Sequence, residues 1–183
     1  MLVALALGGC SLAGDSAARS QETTHNVAAN ATVLDVVDGD TLVVDIDGTR
    51  EHVRLIGIDT PESVAPERPV ECYGREASAH IDAVLPPGTP IRLERDIEAR
   101  DQYERVLAYV YRAEDGLHVN RYQVSRGYAA SSAYPPNTAL QADLDAAERQ
   151  ARTADTGLWN ACGGPDVPIA PPHDEGRVRH ADQ

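Results

Sequence analysis

Residues 38–62 read DGDTLVVDIDGTREHVRLIGIDTPE, and the reading of this stretch decides the fold. TLVVDID is a β-branched run, Asp47-Gly48 is a hairpin turn signal, and EHVRLIGI continues as a second strand. ATVLDVV, just upstream, reads as a third. The hairpin carries an excess of charge: Asp38, Asp40, Asp59 and Glu62 lie at its ends, and Arg54 sits inside an apolar run. An unpaired charge there is expensive to bury, so Arg54 either points outward or has an anionic partner.

Working outward, ECYGREASAHIDAVL spaces Ala77, Ile81, Val84 and Leu85 on one helical face and stops at Pro86-Pro87-Gly88. PIRLERD and RVLAYVYR alternate as strands, with Arg105 opening the second, and an Asp115-Gly116 turn follows. HVNRYQVSRGYA is a short helix candidate. Asn137 or Thr138 is placed to cap a last helix carrying Leu140, Leu144, Ala147 and Ala151. Three strands, a helix, two strands and two helices predict a mainly β, α+β domain: a small closed or nearly closed barrel with helical cover.

The chain has 183 residues, 42% of them hydrophobic, enough for one domain with a real core. Residues 30–163 are expected to fold, residues 11–29 to form a flexible linker, and the Pro- and Gly-rich tail 164–183 to be disordered. Residues 1–10 end an apolar run at Leu7-Gly8-Gly9-Cys10 and read as a signal segment too short to span a bilayer. The last four resemble a bacterial lipobox in which Cys10 is lipidated; the alternative is an ordinary truncated signal peptide. Either way export is expected, as a cell-envelope lipoprotein tethered to the membrane or as a secreted protein. In an oxidising compartment Cys72 and Cys162 can pair, or remain two separate buried thiols. The net charge of −13 arises from 29 acidic residues against 16 basic ones, all arginine. Charge alone argues against a polyanionic partner, which would be repelled at long range.

The site candidates point the other way. Asp38, Asp40 and Asp59 offer hard oxygen ligands suited to Ca²⁺ or Mg²⁺, although Asp-Gly-Asp is also common in turns. Two arginines, Arg54 and Arg105, with these carboxylates and Glu62, would suit phosphodiester hydrolysis: guanidiniums and a metal neutralise the phosphate and a carboxylate activates water. A surface salt-bridge network would use the same residue types.

VVDGDTLVV, VRLIGIDTPE, CYGREAS, DQYERVLAYVY and GLW stand in the order and spacing of the thermonuclease family, the staphylococcal-nuclease-like domains, and the resemblance covers residues 31–160. It implies an OB-fold five-stranded β-barrel with about three helices. It implies a calcium-dependent, sugar-nonspecific nuclease that hydrolyses DNA and RNA by breaking the bond to the 5′ oxygen. By the family pattern, Asp40 and Asp59 are calcium carboxylates and Thr60 offers a main-chain carbonyl. Arg54 and Arg105 bind phosphate, Glu62 is the general base, Asp38 supports the metal loop, and Tyr103 and Tyr134 lie beside the nucleotide. Exported family members also carry cysteines in the CYG segment and after GLW, which implies a Cys72–Cys162 disulfide. A monomer is expected. Many family members have Gly before the second arginine where this chain has Glu104, whose side chain is expected to face away along the strand. The competing reading is a non-catalytic OB module that binds single-stranded nucleic acid or a protein partner.

Overall fold

A computed structural model describes residues 26–63 and 70–169. The signal, lipobox and Cys10 expectations lie outside the described residues, as do most of the linker and tail. Five strands close into a barrel: β1 (Ala31–Asp38), β2 (Thr41–Ile46), β3 (Thr49–Leu55), β5 (Pro90–Glu94) and β6 (Val106–Arg112), in the order β1-β2-β3-β6-β5. All neighbours are antiparallel except β3 and β6, which run parallel with Arg54 opposite Leu107. The β2–β3 hairpin turns at Asp47 and Gly48, both with positive φ (52° and 84°), the backbone that a type I′ turn demands. Two short strands, β4 (Ile58–Asp59) and β7 (Ala130–Ser131), pair outside the barrel.

Among the described residues four helices cover it: α1 (Gly74–Val84), α2 (Val119–Ser125), α3 (Gln141–Thr153) and the five-residue α4 (Leu158–Cys162). The OB-type barrel and its helical cover are therefore as expected, with α4 one short helix more. Leu42, Val44, Val53, Leu55, Ile81, Ile91 and Leu107 fill a core that is closed to solvent. In β6 the run Val106–Val110 is buried without alternation, because α2 packs on the outer face while the barrel closes the inner one. Asn120 of α2 is fully buried and ties this layer: its amide donates to the carbonyls of Ile56 and Ala108, and its oxygen accepts the Val110 N–H.

The edges depart from expectation. Neither Asn137 nor Thr138 caps α3, whose N-cap is Leu140 without a side-chain bond. Asn137 instead exchanges two hydrogen bonds with the backbone of Glu98, fixing the loop before the helix to the loop after β5. The ordered chain also passes residue 163. Cys72 and Cys162 form a disulfide, which returns the chain to residues 70–72: Cys72 donates to the Val167 carbonyl at 2.7 Å and Ile169 to Val70 at 3.0 Å. At the other end Val27 donates to Ala113. The composition at both edges is that of a linker, but these backbone groups find partners.

His118 stacks on Tyr111 (centroids 4.7 Å apart) and keeps Nε2 buried without a hydrogen-bond partner among the described residues. Burial pushes its pKa down to about 4. Between about 4 and the unfolded value near 6.5 the folded chain then binds fewer protons than the unfolded one, so this group makes stability rise with pH across that window. His118→Phe is expected to remove the dependence: relative to the wild type it gains on the order of 1 kcal/mol at pH 5 over its value at pH 7.5. Urea unfolding at the two pH values checks this, and an equal difference at both would contradict it.

Candidate active site

The turn between β1 and β2 holds the first carboxylate. Asp38 accepts the Asp40 N–H (3.0 Å), and the Asp40 carbonyl accepts the Leu55 N–H (2.9 Å), so the turn is clipped to the end of β3. Asp40 is 6% exposed, and both its oxygens are used. Oδ2 accepts the Thr60 N–H (3.1 Å) and hydroxyl (2.9 Å); Oδ1 accepts the Thr41 hydroxyl (3.1 Å) and lies 3.1 Å from Arg54 Nη1. Gly39 is required here, since a Cβ on it would lie 2.8 Å from the Thr60 side chain.

Register brings Arg54 to the same place, because it pairs with Thr41 across β2–β3. Its guanidinium bridges Asp40 to Asp59, 3.2 Å from Nη2, and donates to the Leu55 carbonyl at 2.7 Å. Arg54 thus has the anionic partners its apolar strand demanded. Glu62 follows β4 on a loop whose main chain is gripped on both sides. Its N–H donates to the Glu71 carboxylate (2.8 Å) and its carbonyl accepts the Glu71 N–H (2.8 Å). Gly74, at the start of α1, is pressed against the same carbonyl, where a Cβ would come within 2.5 Å. The Glu62 carboxylate accepts the Ser63 N–H at 3.0 Å.

Arg105 comes from the chain beside β3, since β6 runs parallel to it. It lies one residue before β6, on a turn built around Asp101, which is 8% exposed. One Asp101 oxygen accepts the N–H groups of Tyr103 and Arg105, and the other takes Arg105 Nε at 2.7 Å. Burial alone would raise the Asp101 carboxyl, but these bonds hold it below the usual range. Glu104 is not a strand residue facing away by alternation. It sits in this turn with φ +64°, the left-handed region that glycine adopts freely, and its exposed side chain leaves Arg105 to Asp101. Glu104→Gly is accordingly expected to raise unfolding stability by about 1 kcal/mol, the strain of a non-glycine residue there. A urea midpoint no higher than the wild type's would contradict it.

These groups face one cleft of about 220 Å³. Asp38, Asp40, Asp59, Thr60, Glu62, Arg54 and Arg105 all line it, so every expected residue except the two tyrosines converges. Tyr103 is 71% exposed and reaches the cleft only through Arg105, whose guanidinium lies 5.7 Å from its ring centre. Tyr134 is 42% exposed, on the loop before α3, and does not line the cleft. Two further carboxylates do, Glu71 and Asp166. Glu71 stood unmarked before CYG, and Asp166 lay in a tail that reads as disordered.

Among the described residues six carboxylates and two guanidiniums therefore share the space. Burial and the charge of Asp40 push Asp38 up to about 6. Asp59 is also pushed to about 6, by burial first and then by Asp40, Asp166 and Glu71, against the opposing pull of Arg54. Among the described residues no group of three or more His, Cys, Asp or Glu side chains is arranged to hold a metal. Two carboxylates and the Thr60 main chain remain as a hard-oxygen set, and a surplus of negative charge is what a divalent cation relieves. That set fits Ca²⁺, which completes its shell with water, and does not suit zinc.

A family model described as "Staphylococcal nuclease homologue" matches residues 52–161. A protein named "Thermonuclease" from Staphylococcus hyicus is 38% identical over 128 residues, 70% of this chain and 74% of the relative. A "Thermonuclease" from Staphylococcus intermedius is 40% identical over 124 residues, 68% and 72% of the two chains. "Endonuclease YncB" from Bacillus subtilis is 34% identical over 136 residues, 73% of this chain and 63% of the relative.

Proposed function

Given that the chain belongs to the staphylococcal nuclease homologue family and is a phosphodiester-hydrolysing nuclease, we propose that it is calcium-dependent and sugar-nonspecific, cutting DNA and RNA on the 5′ side of phosphorus. The observation that carries this reading is the convergence of Arg54, Arg105, Glu62, Asp40 and Asp59 on one cleft. Asp40, Asp59 and the Thr60 carbonyl would hold Ca²⁺, which when bound supplies positive charge beside the phosphate oxygens.

The protein's own groups do the rest. Arg54 and Arg105, brought together by the parallel β3–β6 pair, bind the phosphate through guanidinium N–H donors and gain most as charge builds on its oxygens. Glu62 takes the proton of the attacking water as its oxygen bonds to phosphorus and the 5′ oxygen leaves. The Glu71 grip on the Glu62 main chain fixes where that base sits. Asp38 holds the Asp40 turn, and Tyr103 and Tyr134 offer ring faces to a base or sugar beyond the cleft. The net charge of −13 is a poor guide to partners, because binding depends on the two arginines and the cation at one place. Incubating the protein with single-stranded DNA and with RNA, in Ca²⁺ and then in chelator, tests the reading. Cleavage that persists in chelator, or cleavage of only one sugar type, would remove calcium dependence or nonspecificity respectively.

We also propose that residues 1–10 direct export, that Cys10 is lipidated, and that the folded nuclease is a monomer; the disulfide suits an oxidising compartment. No helix among the described residues is long and apolar enough to cross a membrane. The mass of the mature N-terminus decides: a diacylated Cys10 supports the anchor, and any other first residue refutes it.

A further inference from the structure

Gln123, on α2, is 1% exposed in the core, where an aliphatic side chain of similar volume would cost nothing in unmet hydrogen bonds. Its amide is fully engaged. Nε2 donates to the Gly39 carbonyl at 3.0 Å and faces the Ala77 carbonyl of α1 at 3.5 Å. Oε1 meets His80 Nδ1 on α1. With the NH₂ group turned to two carbonyls, Oε1 must accept, so His80 Nδ1 carries the proton. The imidazole is held in turn by Tyr128, stacked 3.8 Å away and nearly parallel, and by Tyr122 at 5.4 Å. Burial keeps His80 below the usual imidazole range, hence neutral at pH 7.

Gly39 stands between Asp38 and Asp40. Thr60 presses on it from one side, and Gln123 holds its carbonyl from the other. The turn that presents Asp40 is therefore pinned to both α1 and α2, which the local Asp-Gly-Asp pattern cannot achieve. We infer that Gln123 and His80 are positioning residues that fix the Asp38–Gly39–Asp40 turn and so set the affinity of the Asp40–Asp59 pair for a divalent cation. The inference rests on the reading of that pair as the Ca²⁺ site.

Calorimetric titration of the full chain with Ca²⁺, alongside the Ca²⁺ dependence of single-stranded DNA hydrolysis, tests it in three variants. Gln123→Leu keeps the volume and removes the amide's bonds to Gly39, Ala77 and His80. It is expected to weaken Ca²⁺ binding about 10-fold, the usual effect of losing a group that orients a metal ligand. Its kcat at saturating Ca²⁺ should stay within about twofold of the wild type, because Arg54, Arg105 and Glu62 are untouched. His80→Phe keeps the stack on Tyr128 but removes the donor, and should weaken Ca²⁺ binding in the same direction by about threefold. Its thermal transition shows whether the fold is intact, and it decides the matter alone if Gln123→Leu fails to fold. Wild-type Ca²⁺ affinity in a folded variant, or a loss confined to kcat, overturns the inference. Asp40→Asn separates the two levels. If it abolishes Ca²⁺ binding while the other variants bind normally, only the positioning role falls. If it too binds Ca²⁺ normally, the cation reading of the cleft falls and takes the positioning role with it.

Discussion

Arg54→Ala is expected to lower kcat on single-stranded DNA about 10²–10³-fold, or ~3–4 kcal/mol of transition-state stabilisation, with a smaller change in KM. The size follows from where the guanidinium lies. It emerges from β3 with a side chain only 19% exposed, between Asp40 at 3.1 Å and Asp59 at 3.2 Å. A charge so placed is poorly screened by water, and its donors are already oriented before any substrate arrives. Removing it deletes one of the two guanidiniums that line the cleft among the described residues, together with its ion pairs to Asp40 and Asp59. Arg54→Lys should recover only part of the loss, since an ammonium cannot reproduce the planar fork. Steady-state kinetics at saturating Ca²⁺ measures both variants. Full activity in Arg54→Ala would take this residue out of the reaction.

Replacing Cys72 and Cys162 together by alanine is expected to cost about 4 kcal/mol of unfolding free energy, from releasing a loop of 90 residues in the unfolded chain. Domains of this kind have only ~5–15 kcal/mol to lose. The disulfide also has a local consequence. It brings residues 164–169 against residues 70–72, which carries Asp166 into the cleft and braces Glu71, the residue that holds the Glu62 backbone. Activity at a temperature where the double variant is still folded should therefore fall as well. Urea unfolding with and without reductant measures the first effect, and kinetics below the thermal transition measures the second. A midpoint that reduction leaves unchanged would contradict the stabilising role.

How much of this was legible beforehand depends on the range over which each feature is determined. The hairpin at Asp47-Gly48 and the existence of strand β6 were readable, because turn preference and β-branched runs act within a few residues, whereas β6 was expected to alternate and is buried on both faces because α2 covers the outer one. The expected cap of α3 was not: Asn137 is a good local cap, but a partner 39 residues away, the Glu98 backbone, takes its amide. Glu104 was misplaced for a similar reason. Alternation describes a strand, while Asp101 folds residues 101–105 into a turn before β6 begins.

The sequence by itself determined the five barrel strands and the three longer helices, the hairpin that carries Asp40 and Arg54, and the identity of the charged groups, because those follow from periodicity, turn chemistry and motif. Only the tertiary structure decided how they meet. Asp40 is completed by Thr60 from 20 residues away, Arg105 joins the same cleft because β6 lies parallel to β3, and Asp166 arrives through a disulfide 90 residues in span. Each of these contacts depends on barrel closure and on where buried polar groups find partners. No local propensity encodes that, since the partner enters only once the core has formed.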